Sequence, residues 1–221
     1  LKRGLSMDQN IDALFFAATA PLTHEFDYLY ASLFRHPQGH ISVVEALCRH
    51  KGGMDRRALA QATGIPESGK LSKILNELES CGFVRRYHAY GKRTKGALWQ
   101  LVDNFTLFYD KFLRQRVPDE QFWSHQANTA RRNAWCGLAF ERVCMQHVPQ
   151  IKAALGISGV LSDICSWKCD ADDDEGVHGS QIDLLLARAD QVIDLCEMKY
   201  ADSDFLMSAN EEERIRHRRS K

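Results

Sequence analysis

The chain is predicted to be a mixed protein, α+β in its first part and α/β in its second, and three observations predict it. Apolar residues recur at helical spacing from Ile11 to Leu78, and the pattern then changes to strand over 83–102. A long helical stretch begins near Ala130, and it leads into two consecutive apolar runs, QIDLLLAR (181–188) and QVIDLCEMK (191–199). A chain of 221 residues is long enough for two modules with a substantial core.

From Ile11 to Phe34 two short helices are expected on either side of Pro21. The segment 41–48 is a third helix, stopped at Gly52-Gly53. Asp55 is the N-cap of a helix over 57–62, and Gly64-Ile65-Pro66 makes a turn. Leu71, Ile74, Leu75 and Leu78 form the stripe of the next helix, which ends at Cys81-Gly82. Strands over 83–90 and 97–102 flank a basic turn, Gly91 to Gly96. Three short helices with a tight second turn and then a hairpin are the layout of a winged helix-turn-helix. Beyond it come a bridging aromatic helix (105–112), a helix over about 130–155 with a break at Pro149, a strand near 160–167, an acidic loop, and the two apolar runs.

A hydrophobic fraction of 44% and a charged fraction of 26% are those of an ordinary globular protein, which excludes a disordered or fibrous chain. No stretch is long and apolar enough to span a membrane, so no membrane partner is expected. The start is not a signal peptide and lacks Met, which reads as a fragment or processed chain. Seven cysteines without a Cys-x-x-Cys pair, several of them within apolar patterns, point to reduced thiols and a cytoplasmic location. Formal net charge is zero, yet residues 51–100 hold ten basic and four acidic residues, a balance of +6. Such a module can face a polyanion, or simply be a solvated surface. If it meets DNA, Lys73 lies on the helix that enters the major groove, and Arg85, Arg86, Lys92, Arg93 and Lys95 contact phosphates.

Three motifs are decoys. Gly64-Ile65-Pro66-Glu67-Ser68-Gly69-Lys70 imitates a phosphate-cradling loop, but Leu71 stands where a Ser or Thr must follow, and a helix precedes it; the chain holds no ATP site. Cys165 and Cys169, even with His147 or His178, lack zinc spacing. The acidic run 170–175 lacks the glycine and the terminal acid of a calcium loop.

Strand alternation over 192–200 puts Glu197 and Lys199 on one face, and pairing across the turn at 188–191 brings Asp183 near Glu197. Carboxylates this close repel unless a cation sits between them, and hard oxygen ligands suit magnesium or manganese. Lys199 would then position a water against a phosphodiester. An ordinary ion pair of Lys199 with Glu197 or Asp183 explains the same residues. Glu141 falls in step with Ala134, Leu138, Met145 and Val148 on an apolar stripe and needs a partner: the shared metal, or Arg131, Arg142 or Lys152.

A helix carrying Glu, followed by Asp and then Glu-x-Lys on consecutive strands, resembles the PD-(D/E)xK nuclease fold of restriction endonucleases. WCGLAFERVC (135–144), IKAALGI (151–157), QIDLL (181–185) and CEMKY (196–200) resemble the C-terminal domain, DUF234-like, of a family of prokaryotic AAA-type ATPases. SMDQNID (6–12), LTHEF (22–26) and LYASLF (29–34) look like the segment that follows the ATPase core there.

The resemblance covers nearly the whole chain. It implies a helical remnant over 1–34, a winged helix-turn-helix with its bridging helix over 35–118, and a restriction-endonuclease-like α/β domain over 119–221. It implies Glu141, Asp183, Glu197 and Lys199 as catalytic residues, with the first three holding Mg2+ or Mn2+, and a supporting role for Gln181. DNA and a missing ATPase domain or partner protein are the implied partners. The charged tail 211–221 has no clear stop, so the nuclease-like fold is expected to be incomplete at its C-terminus. Two functions follow: a metal-dependent DNA endonuclease, or a catalytically silent module that binds DNA or protein.

Overall fold

The computed structural model describes residues 1–91, 96–115, 118–169, 180–201 and 203–219. Among them are ten α-helices and six strands of a mixed sheet, with hydrogen bonding in the order β1-β3-β2-β4-β5-β6. The strands are β1 (Met54–Asp55), β2 (Val84–Ala89), β3 (Leu98–Leu101), β4 (Ser162–Cys169), β5 (Ser180–Arg188) and β6 (Ile193–Cys196). The expectation of combined α and β structure holds. The chain divides into a first unit, Leu1–Arg85 with Trp99–Cys136, and a second, Arg86–Leu98 with Gly137–Lys221. No described helix is long and apolar enough to cross a membrane.

In the first unit, α1 (Met7–Ile11) is started by a capping box: the Ser6 hydroxyl accepts the Gln9 N–H while the Gln9 side chain accepts the Ser6 N–H. A π-helical turn, Asp12–Phe16, follows, and then α2 (Glu25–Leu33). The Asp12 carboxylate, 5% exposed, accepts the backbone N–H of Trp123 at 2.7 Å, that of Ser124 at 3.2 Å, and the Ser124 hydroxyl. It thereby satisfies the open N-terminal donors of a short helix, α7 (Phe122–His125). These contacts border an aromatic core of Phe16, Phe108, Phe112, Phe122 and Trp123, with Trp135 packed against it. The bridging segment is a helix of two kinds, α6 (Asn104–Phe108) and a π-helical turn (Tyr109–Leu113), and it supplies two of these rings. The N-terminal stretch thus shares its core with residues far along the chain.

The helices α3 (Gln38–Cys48), α4 (Arg56–Thr63) and α5 (Gly69–Ser80) bury Val43, Val44, Leu47, Leu59, Leu71, Leu75 and Leu78. Asp55 caps α4 as expected, accepting the Ala58 N–H at 2.7 Å. Gly64 ends α4 with φ +69, a conformation that glycine adopts without penalty. The Arg56 guanidinium donates to the Ser68 carbonyl at 2.7 Å and the Ser72 hydroxyl at 2.6 Å, which pins the α4–α5 turn. Gly53 has φ +79, and a Cβ there would meet the Trp99 carbonyl oxygen at 2.5 Å, so only glycine fits.

The second unit contains α9 (Val148–Ala154), β4, β5, β6 and α10 (Ala209–Arg219). Antiparallel partners on both sides make β5 its central strand, with Leu185 opposite Cys165 of β4 and Leu195 of β6. Leu184, Leu185 and Leu186 are all buried, so the continuous apolar run reads as a strand covered on both faces. The end of β2 pairs with β4 in parallel at His88 and Cys165. Val148, Ile157, Leu184, Leu186 and Met198 make the core. The Ser208 hydroxyl accepts the Glu211 N–H at 3.3 Å, and the Glu211 carboxylate accepts the Ser208 N–H at 3.3 Å, a capping box that starts α10.

Candidate functional site

The strand carrying Glu197 and Lys199 is shorter than the alternation predicts. It stops at Cys196, and residues 197–200 leave the sheet without strand pairing. The two segments are nevertheless held together by other means. Leu184 stands opposite Cys196, so Asp183 is the next residue of β5 beyond the last strand pair. Its carboxylate Oδ2 accepts the backbone N–H of Met198 at 3.1 Å. That bond holds the 197–199 segment beside β5 where the ladder has ended, and Met198 is drawn into the core. On the same segment Lys199 Nζ donates to Glu197 Oε1 at 2.6 Å, with both side chains partly exposed. Asp183 is therefore tied to the backbone of the segment that carries the Glu197–Lys199 pair.

Glu141 lies on α8 (Ala130–Gln146) and is half-buried. The deepest side chain of that helix is its neighbour Arg142, 3% exposed. Burial pushes the Arg142 guanidinium below its ordinary pKa, and the negative charges of Glu141 and Asp183, with the Tyr87 hydroxyl, pull it back up. Burial likewise raises the Cys144 thiol, helped by the same two carboxylates. Asp183 and Glu141 thus act on the same two neighbours. Sequence reasoning had named Arg142 only as one of three salt-bridge options. A signal was present, because Arg142 stands four residues after Leu138 and three before Met145, a fit to the apolar stripe as good as that of Glu141.

Asp183, Glu197 and Glu141 are carboxylates, a donor type that suits a hard divalent cation. Among the described residues, no three His, Cys, Asp or Glu side chains come together as a group that could hold a metal ion. Six described cysteines, among them Cys144, Cys165 and Cys196, are free thiols. The Gln181 backbone lies in β5, and its side chain falls outside the described residues.

Of the basic residues expected to face nucleic acid, Lys73 projects from α5, 75% exposed, with Glu77 one turn on at 3.8 Å. Arg86 is exposed. Arg85 is half-buried: its Nε donates to Gln100 Oε1 at 2.7 Å, and Gln100 donates in turn to the Lys51 carbonyl. Its guanidinium therefore has a structural task whatever else it touches. Lys92, Arg93 and Lys95 lie outside the described residues. The decoy at 64–70 lies between two helices, not after a strand, so it has none of the surroundings of a phosphate-cradling loop. The acidic run 170–175 lies outside the described residues.

Comparison of the chain with protein-family models, curated proteins and solved structures finds no match.

Proposed function

We propose that residues 119–221 form a PD-(D/E)xK nuclease-like domain that hydrolyses DNA phosphodiesters with magnesium or manganese, and that α3, α4 and α5 with the β2–β3 hairpin form a winged helix-turn-helix that binds the DNA. In this reading the chain is the C-terminal part of a protein of the prokaryotic AAA-type ATPase family. The observation that carries it is the bond from Met198 N–H to Asp183, which brings an Asp to a Glu-x-Lys segment at a strand end.

Asp183 and Glu197 would hold the metal ion, with Glu141 assisting. The ion supplies charge stabilisation at the phosphate. Lys199, its ammonium 2.6 Å from Glu197, would position the attacking water and keep it aimed at phosphorus. The Asp183 carboxylate would also hold the 197–199 segment in place, through its bond to Met198. Lys73, Arg86, Lys92, Arg93 and Lys95 would contact DNA, with Arg85 adding to the local positive charge.

Manganese calorimetry on the wild type and on Asp183→Asn tests the reading without a DNA substrate. Binding in the wild type that the substitution abolishes is the expected result; a folded wild type that takes up no manganese would sink the metal site. Lys199→Ala is expected to abolish cleavage and leave the fold intact.

A second reading has its own observation. A guanidinium already stands in the field of Glu141 and Asp183, and a buried cation can balance those acids as a metal would. The second unit would then be catalytically silent and the chain a DNA- or protein-binding module. That reading expects duplex affinity that falls with salt and with neutralisation of Arg86, Lys92 and Arg93, without cleavage. Absent or salt-independent DNA binding would leave protein contact as its function.

A further inference from the structure

The second unit has a pocket of about 410 Å³ beside the Glu197–Lys199 pair. Phe140 on α8, Met198, Phe205, Met207 and Ile215 on α10 give it apolar walls. Glu197, Lys199 and Glu211 also line it. Its size is at the small end of pockets that take small molecules, roughly 300–1,000 Å³. A stacked base pair within a duplex does not enter such a space, whereas one unstacked base does. Two phenylalanine rings and two thioethers offer the polarisable surface on which a base stacks. Phe140 is 37% and Phe205 48% exposed, so both rings present area to an incoming group.

We propose that this pocket takes a single unstacked nucleobase of a DNA strand whose phosphodiester lies at the Glu197–Lys199 end. The inference rests on the nuclease reading and narrows its substrate to single-stranded, frayed or base-flipped DNA. The acidic groups at the pocket sharpen it further. Glu197 and Glu211 accept hydrogen bonds, so they match N–H donors on the Watson–Crick edge of an unstacked base, the exocyclic amino groups of cytosine, adenine and guanine among them.

The test compares binding of a short single-stranded oligonucleotide, carrying a fluorescent adenine analogue, with binding of the same sequence as a blunt duplex. The full chain is used in chelator, so neither metal binding nor cleavage enters. Phe140→Ala and Phe205→Ala are expected to weaken single-strand binding about tenfold each, and to leave duplex affinity, which the basic helices and turn dominate, unchanged. The analogue's fluorescence is expected to change on binding to the wild type and much less with either variant. Unchanged single-strand affinity in both variants would overturn the proposal, as would equal weakening of duplex and single strand. An apolar surface that serves another protein segment predicts the first of these. Both rings are partly exposed, so their removal is compatible with folding, and circular dichroism checks it. Base docking in a wild type that binds no manganese would remove the nuclease chemistry and leave the pocket assignment standing.

Discussion

Asp12 in the first unit and Asp183 in the second are both acids placed among apolar neighbours, and the structure uses them differently. Asp12 accepts two backbone N–H groups and a hydroxyl, and its surroundings are a closed aromatic core. These three hydrogen bonds are all internal and structural. Asp183 accepts one backbone N–H and shares its field with a buried arginine, a glutamate and a Glu–Lys pair at the wall of a pocket. The first unit resolves its inner charges in the same manner elsewhere. Asp8 takes both ends of the Arg132 guanidinium at 2.7 and 2.9 Å, and Glu77 meets the buried His40 ring at 2.8 Å. A buried acid is therefore no functional signal by itself. Convergence of several acids with cations beside a cavity is what separates a candidate site from a cap.

The largest effect that tests this contrast is Asp12→Ala. It strands three donors at the start of α7, and the expected loss is roughly 3 kcal/mol or more of unfolding free energy in urea. A loss below about 1 kcal/mol would remove the structural role of Asp12 and with it the contrast. Lys199→Ala should behave in the opposite way, because its pair with Glu197 is partly exposed: a stability change under about 1 kcal/mol and, on the proposed nuclease reading, complete loss of cleavage. A large loss of stability there would make the pair a structural one and turn the second unit into a copy of the first.

The smallest effect at neutral pH concerns Cys48, whose thiol burial raises from 9.0 to about 12. The folded chain holds that proton more tightly than the unfolded one, so its contribution is complete below pH 9 and is lost as pH rises toward 12. Alkylation at mildly alkaline pH should modify the exposed Cys81 well before Cys48. Equal rates would show that the first unit opens around α3 more readily than its buried leucines and valines imply.

Much of the architecture was legible from local signals. The Asp55 cap, the stop at Gly64, the stripe of α5 and the buried leucine run of β5 each follow from spacing or from one residue's backbone preference, and each stands where those rules put it. Within the site, the meeting of Asp183 with the Glu-x-Lys segment was legible because a tight turn fixes hairpin register. Its cause was not. Alternation predicted a strand through Tyr200, whereas β6 ends at Cys196 and a side chain-to-backbone bond takes over from the ladder. Arg142 and Glu141 were equally good fits to one face of α8, and only packing selected the arginine for burial.

The sequence by itself determined which residues could form helices and strands, and which acids and lysine lay within one turn or one hairpin of each other. Those relations span a few residues, where periodicity and turn geometry leave few alternatives. Tertiary structure alone decided that Asp12 would cap a helix 111 residues away, that Trp135 would join rings from the chain's start, and that Phe205 and Ile215 would wall a pocket with Phe140. Such contacts are selected by which surfaces bury together once the elements exist, and no local pattern carries that information.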